Sequence, residues 1–448
     1  MKLLKKNLTL LLLLSVVIGA TAQEKQWTLE QCIDYAIENN IEIKGWAYST
    51  QLKEQSLNTS KWSRLPDLNA SLGQSFDFGR SPSADGLILQ RNSANSSFSV
   101  GTNVPLFTGF RIPNEVAAGK LDVQASLESL NKAKESLAIL VTSNFLNVLF
   151  FSELEKVQEA QVELSSEQLA KTEILVQSGK VPESQLYDAK ALLAKDELNL
   201  VNAQNDVKLA LLALAQNLEL GAQVESFGIT EPNLADPSET LLGSLLLPEE
   251  IYALALVSRP MIKEQEFLLE KSRKDLKVAK AGYYPNLDFR AYYTNGYYHY
   301  YNQPTMEQLT FADQLRANQR SSLGVNLSIP VFNRFKTRNN VNSSKINILS
   351  HELNLDKSKK DLLDEIQKAY YNAVAAQRKY QSSKESVEAS TLSYEYAQEK
   401  YDAGKASVFE LNEAKTKMVQ SLAEQAQSKY EFIFRTKILD FYRGSTIH

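Results

Sequence analysis

Apolar positions recur every seven residues over two long stretches of this chain. The first is marked by Val116, Val123, Leu130 and Leu137, then Leu186, Leu193, Leu200, Val207 and Leu214. The second is marked by Val341, Ile348, Leu355 and Leu362, then Leu411, Met418, Gln425, Phe432 and Leu439. A sustained seven-residue period predicts coiled-coil packing of long helices rather than one round core. The helix predicted from about Asn114 to Gln177 has no internal proline and would reach ~96 Å at the usual rise per residue. Each helical run is broken once near a glycine, Gly179 in LVQSGKVPESQLYDAK and Gly404 in KYDAGKASVFELNEAK. Glycine past a helical run is the common left-handed stop. Pro182 suits the first position of the following helix, and Ser407-Val408-Phe409-Glu410 fits the S-x-x-E capping box.

Between the helical stretches the period changes from about 3.6 to 2, which predicts strands. Leu68, Ala70, Leu72, Phe76 and Phe78 alternate with Asn69, Ser71, Gly73, Ser75 and Asp77. Phe98, Val100, Val104 and Leu106 alternate with Ser99, Gly101 and Asn103. Later, Leu323, Val325, Leu327, Ile329 and Val331 alternate with Ser322, Gly324, Asn326 and Ser328, and tyrosines between Tyr283 and Tyr301 crowd the other strand and its loop. Near the start, Trp27–Asn40 has Leu29, Ile33, Ala36 and Ile37 at helical spacing behind Thr28 as N-cap, and a second helix runs to about Trp62, before Pro66.

The chain contains itself twice. Pro66 and Pro285, Lys44 and Lys263, and Leu68 and Leu287 are 219 apart; Val104-Pro105 and Ile329-Pro330, Gly179 and Gly404, and Lys190 and Lys415 are 225 apart. The change of offset falls within the strand hairpin, so the second outer loop is the longer. The expected organisation is a leader at 1–22, a first repeat at 23–220, a connector at 221–247 and a second repeat at 248–448. The hairpins fall at about 66–108 and 285–332, and the helical tips near 178–182 and 403–407.

Composition narrows the function classes. Residues 1–22 read as a secretory leader: Lys2, Lys5 and Lys6, an apolar Leu8–Ile18 and a small-residue site at Ala20-Thr21-Ala22. Gln23 would follow the cut, so no lipid attachment is indicated there. No later run of about 18 apolar residues is present, so a membrane would have to be crossed by strands. A net charge of −4 and a pI near 5.7 argue against a nucleic-acid surface. The single cysteine, Cys32, excludes an internal disulfide. His299, His351 and His448 are widely spaced, and phosphate-loop, zinc-protease and nucleophile-elbow motifs are missing, so no enzyme, cofactor or metal is expected.

Nine or so alternating residues suit a tilted strand crossing a bilayer, although a soluble antiparallel sheet alternates in the same way. Four strands are too few for a closed barrel, since the smallest single-chain outer-membrane barrels have about eight. Open edges in lipid are not tolerated. Hairpins that span a membrane must therefore be completed by other subunits, and three copies would give 12 strands.

The chain resembles the TolC-like outer-membrane efflux family. The resemblance spans essentially all of 23–448 and rests on the doubled order of helix pair, strand, strand, long helix, break and helix. It rests also on LPDL at Leu65–Leu68, YPNL at Tyr284–Leu287, VPLFTGF, IPVFNRF and YDAGKASVFELNEA at Tyr401–Ala414. It implies a mainly α fold with a small membrane β part. The implied assembly is a homotrimer whose four strands per chain would form a 12-strand outer-membrane barrel on an internally duplicated coiled-coil tunnel in the periplasm. It further implies an exit duct of a tripartite efflux or type I secretion system, fed by an inner-membrane pump through a periplasmic adaptor.

By match to the family, Gly179, Lys180, Val181, Gly404, Lys405 and Ala406 would form the adaptor-docking tips. Glu410 and Glu413 would converge at the entrance constriction, where a ring of carboxylates favours cations. Capping for Glu410 and a solvated charge for Glu413 are the plainer roles. Some members hold the gate shut with an arginine paired to a carboxylate of the first repeat. Those positions are Ala406 and Gln185 here, which leaves Asp188 and Lys405 as substitutes. Leu323, Val325, Leu327 and Ile329 would face lipid. The other reading of the chain is a soluble periplasmic coiled-coil scaffold.

Overall fold

The structure, a computed structural model, describes residues 25–82, 86, 88–90, 92–221, 227–231, 246–301 and 308–444. The expected leader at 1–22 and most of the expected connector lie outside the described residues. Helices dominate: α1 (Leu29–Asn39), α2 (Ile41–Trp62), α3 (Arg111–Gln177), α4 (Glu183–Asn217), α5 (Pro248–Ser258), α6 (Pro260–Ala281), α7 (Phe311–Ala317), α8 (Lys336–Asp402) and α9 (Val408–Tyr442). The strands are β1 (Lys25–Trp27), β2 (Asn69–Asp77), β3 (Arg80–Pro82), β4 (Ile88–Gln90), β5 (Ser93–Phe107), β6 (Phe227–Ile229), β7 (Asn286–Tyr300) and β8 (Arg320–Ser328). The chain divides into two compact units.

The first unit comprises Met1–Tyr48, Glu128–Lys263 and Lys357–His448. Its core gathers Cys32, Ile33 and Ala36 of α1, Val141, Phe145, Val148 and Leu149 of α3, Leu214 of α4, and Tyr430 and Ile433 of α9. Thr28 caps α1 through a complete capping box: its Oγ1 accepts from the Gln31 amide and its own amide donates to Gln31 Oε1. Asn40 Oδ1 accepts from the Glu42 and Ile43 amides and opens α2. β1 and β6 pair in parallel, with Trp27 set edge-on against Tyr35 and Phe227. These two short strands were not foreseen; three residues carry too little periodicity to be read. Helix α3 also contains an 18-residue window of mean hydropathy 1.6, apolar enough to cross a membrane by length and composition. Leu137 to Leu149 of that helix instead supply the core of this unit.

On α9 the heptad positions Leu411, Met418, Phe432 and Leu439 are buried as the sequence pattern requires, whereas on α4 the buried seam differs from the leucine heptad. On α4 the buried positions are Ala189, Asp196, Ala203 and Ala210, seven apart, while Leu186, Leu193 and Leu200 are only half-buried. On α9 the matching positions Ala414, Ser421 and Ser428 are buried. Small residues let helix backbones approach, and the polar ones find each other. Ser428 meets Ser383 at 2.7 Å, Ser421 meets Ser386 at 3.2 Å, and Gln161 Nε2 donates to Asp196 Oδ2 at 3.1 Å. The last two contacts each join residues 35 apart and are equivalent to each other at the 225-residue offset, so one helix register serves both hairpins.

One buried cluster breaks the duplication. Lys415, whose counterpart Lys190 is exposed, places Nζ 3.5 Å from Asp196 Oδ2 and donates to Ser165 Oγ at 2.7 Å and the Gln161 carbonyl at 3.4 Å. Ser165 also hydrogen-bonds Asp196. Both charged side chains are 6% exposed. Burial pushes the Lys415 ammonium below its ordinary pKa, and Asp196 opposes that shift. The pair ties α3, α4 and α9 together.

The second unit comprises Ser49–Leu127 and Glu264–Asp356 and is organised on one antiparallel sheet in the order β2-β5-β7-β8. β5 extends further toward the outer loop than the alternation in the sequence indicated. β8 ends at Ser328, two residues before Pro330, which has no amide to donate to a ladder. Ile329 therefore lies one residue past the strand on which it was expected. Helix α3 begins at Arg111 rather than Asn114 and takes Pro113 into its first turn, where a missing amide costs nothing.

The turn entering α3 carries two left-handed residues, Gly109 and Phe110 (φ 61° and 64°). The turn entering α8 carries Arg334 and Phe335 (φ 55° and 60°) at the same 225-residue offset. A Cβ on Gly109 would sit 2.7 Å from Tyr284 Cβ and 2.8 Å from the Ala281 carbonyl, so glycine is required there.

β7 outruns β8 at the outer end, and α7 covers the uncovered edge. Gln314 bonds both the Tyr298 amide and carbonyl, Gln308 does the same at Tyr300, and Asn318 Nδ2 donates to the Gly296 carbonyl. Amide side chains thus stand in for a missing strand.

Lys415→Met alone is expected to destabilise the protein by about 3–5 kcal/mol, because it strands the Asp196 carboxylate. Combining it with Asp196→Leu should recover most of that loss. Melting of the purified protein in detergent checks this; a double variant no more stable than the single one would refute the pairing.

Candidate functional site

Both helical tips end in the same hydrogen-bonded turn. Gly179 (φ 70°) and Gly404 (φ 67°) are left-handed. The Lys180 amide donates to the Leu175 carbonyl and the Gly179 amide to Val176; Lys405 and Gly404 do the same to Lys400 and Tyr401. This is the Schellman arrangement, which satisfies the last carbonyls of a helix and reverses the chain. Lys180 and Lys405 are exposed, while Val181 and Ala406 are half-buried. Pro182 is the extended N-cap of α4 (φ −71°, ψ 152°), one residue before the helical position expected for it. Ser407 caps α9 by accepting from the Glu410 amide at 3.2 Å. Only this half of the box forms, so the Glu410 carboxylate is not spent on the cap.

Glu410 and Glu413 are exposed and line a groove of about 570 Å³ between α8 and α9, with Leu392, Tyr396, Lys400 and Lys417. Lys417 Nζ donates to Glu413 Oε1 at 2.7 Å, which holds that carboxyl below its usual pKa. The two glutamates are therefore unequal: one charge is compensated within its own helix. Gln185 is half-buried and Asp188 exposed on α4. Among the described residues Asp188 and Lys405 make no ion pair. The tie between hairpins nearest the tips is Lys171 of α3 with Asp402 of α8, supported by Gln398 Nε2 at 3.1 Å. Lys171 holds the Asp402 carboxyl below its ordinary value. Sequence reasoning missed this pair because its members are 231 residues apart and belong to no motif.

The sheet has two chemically distinct faces, fixed by its register. Asn69 pairs with Gly101, Gly101 with Tyr292 and Tyr292 with Ser322, so these four share one face. Following the alternation, that face carries Ser71, Ser75, Asp77, Asn95, Ser97, Ser99, Arg290, Thr294, Arg320 and Asn326. The opposite face carries Ala70, Leu72, Phe76, Phe98, Val100, Phe289, Ala291, Leu323, Val325 and Leu327. All nine residues of β2 and of β8 are exposed, with Leu72, Leu323, Val325 and Leu327 between 57% and 79%. Ile329 is exposed as well.

Aromatic rings collect where the strands meet the long helices: Phe107 on Phe110, Phe110 on Tyr284, and Phe332 on Phe335. At the outer end, His299 packs between Tyr297 and Tyr301. Among the described residues no group of three or more His, Cys, Asp or Glu is placed to hold a metal ion.

Comparison with known proteins agrees with this geometry. The family model described as outer membrane efflux protein matches residues 32–218 and 251–433, together well over half of the chain. The outer membrane efflux protein BepC of Brucella suis biovar 1 is 19% identical over 419 residues, covering 94% of this chain and 85% of that protein. The outer membrane protein TolC of Escherichia coli K12 is 21% identical over 439 residues, covering 96% and 84%. Among solved structures, the outer membrane protein VceC from Vibrio cholerae superposes with a TM-score of 0.75 at 14% identity, covering 94% of this chain and 97% of that one. With its helical hairpins, glycine tips and two-faced sheet, the chain belongs to the outer membrane efflux protein family.

Proposed function

We propose that the chain is one subunit of a homotrimeric exit duct of a tripartite efflux or type I secretion system. It would carry substrate passively across the outer membrane, in which family membership locates it. The observation that carries this reading is the sheet: one exposed apolar face, one polar face and two open edges on a single chain. An apolar face suits acyl chains, a polar face suits a water-filled lumen, and open edges in lipid must be paired. Three copies would close a 12-strand barrel. The aromatic rings at the sheet base then fall where tyrosine, tryptophan and phenylalanine girdles mark the membrane interface. A soluble periplasmic scaffold leaves Leu72, Leu323, Val325 and Leu327 facing water with nothing to cover them.

The helical hairpins would form the periplasmic tunnel. The half-buried Leu186, Leu193 and Leu200 of α4 are suited to a neighbouring subunit. The tips, Gly179-Lys180-Val181 and Gly404-Lys405-Ala406, would receive the periplasmic adaptor, which links the duct to the inner-membrane pump. Glu410 and Glu413 would narrow the entrance, with Glu410 the stronger determinant because Lys417 offsets Glu413. Since Ala406 and Gln185 cannot form a charged latch, Lys171 and Asp402 supply the ion pair that holds the two hairpins together near the tips.

Leu327→Arg is expected to impair barrel insertion, at a cost of about 2–4 kcal/mol for a mid-bilayer site. Outer-membrane fractionation reads this out, and normal assembly of the variant would overturn the membrane-spanning assignment. Replacing Glu410 and Glu413 by Ala should lower cation preference in planar bilayers, with Glu410→Ala carrying most of the change. An unaltered reversal potential would remove both from the constriction. Gly404→Leu should abolish adaptor cross-linking while oligomers still form; retained cross-linking would count against docking at the tips.

A further inference from the structure

β2 and β8 are the two edges of the sheet, and they are built as partners. Each has nine residues, each is exposed along its whole length, and each pairs on one side only. β8 descends from the outer loop while β2 ascends toward it, so β8 of one copy meets β2 of the next antiparallel. The upper edge of β7, the other free stretch on that side, is closed by Gln308, Gln314 and Asn318. A neighbouring copy can therefore add only along β8.

We infer that β8 pairs with β2 of a second copy of this chain in one register, Arg320 opposite Asp77 and Ser328 opposite Asn69; the inference rests on the oligomeric duct reading. Only this register uses all nine residues of both strands. On the polar face it sets Ser322 against Ser75, Gly324 against Gly73 and Asn326 against Ser71. On the apolar face it sets Val325 against Leu72 and Leu327 against Ala70. A slip of one residue would put Leu323, Val325 and Leu327 opposite the polar row. A slip of two keeps the faces but leaves strand ends unpaired and separates the charges.

Those charges select the register. Arg320 makes no ion pair among the described residues. Asp77 accepts from Asn95 Nδ2 at 2.6 Å and Ser75 Oγ at 3.5 Å and makes no ion pair among the described residues. Opposite charges directly across a strand pair are favourable.

The register also agrees with barrel geometry. Within one chain Ser322 lies level with Asn69, through Gly101 and Tyr292, whereas the proposed contact brings Ser328 opposite Asn69. Each chain thus adds a stagger of six residues over four strands. With a rise of ~3.4 Å per residue and a strand spacing of ~4.8 Å, this gives a tilt of about 45°, at the upper end of the range for outer-membrane barrels.

The test is disulfide trapping in isolated outer membranes, with Cys32 replaced by Ala. Ser322→Cys with Ser75→Cys should give covalent dimers and trimers on a non-reducing gel, whereas Ser322→Cys with Gly73→Cys or with Asp77→Cys should give little. Stronger trapping at Gly73 or Asp77, or none at any of the three in an intact oligomer, would overturn the register. Arg320→Asp and Asp77→Arg should each cause loss of the detergent-resistant oligomer band, and the two together should restore it. A double exchange no better than either single one would also overturn the register. Amine cross-linking of the unmodified chain separates the two levels: exclusively monomeric product would defeat the oligomeric reading itself.

Discussion

Backbone hydrogen bonding in a medium without water is the constraint on which the architecture depends. Every amide and carbonyl of a strand in lipid needs a partner, and leaving one unmade costs several kcal/mol. Four strands in the order β2-β5-β7-β8 satisfy their inner neighbours and leave two outer rows open. On the proposed duct reading, an oligomer is then a condition of the fold in its membrane rather than an embellishment. The same constraint explains α7 and the residues flanking it: Gln314 of the helix, with Gln308 before it and Asn318 after it, supplies bonds where β8 is too short to reach.

The helical unit answers a different problem, that of holding long helices together by thin contacts. A coiled-coil seam buries little area per residue, so the identity of each seam residue matters. Alanine and serine at seven-residue spacing permit close approach, and serine pairs use that closeness for hydrogen bonds across the seam. Lys415 and Asp196 add a strong tie where the duplicated hairpins are not equivalent. Such a pair contributes little net stability, since desolvation offsets attraction, but it penalises any arrangement that parts its members. The hairpins are thereby fixed in register at that level, while the exposed Lys171–Asp402 pair nearer the tips is screened by solvent and easier to part.

Much of this is legible in the sequence. Duplication, long helices, glycine tips and alternating strands follow from spacing alone, because each is a local pattern repeated at a constant offset. The family resemblance rested on those features, and the family match supports it. What escaped reading is pairwise and distant. A heptad names a face but not its neighbour, so on α4 the buried seam is Ala189, Asp196 and Ala203 rather than Leu186, Leu193 and Leu200, while on α9 Leu411, Met418 and Phe432 are buried as read. Lys190 and Lys415 occupy the same position of the repeat, yet only one is buried. The β1–β6 pair and α7 are too short for periodicity to register. The half-formed capping box at Ser407 shows that a motif can place a backbone without fixing its side chain.

The amide-capped edge of β7 bears on how such a chain can change over generations. Inserting or deleting one residue within a strand exchanges its oily and wet sides, so strand length can drift only in steps of two. A surface segment that arrives with its own glutamines and asparagines leaves no backbone group orphaned and escapes that rule. The outer loops are therefore where this architecture can absorb insertions cheaply, and the six extra residues of the second repeat fall within its strand hairpin.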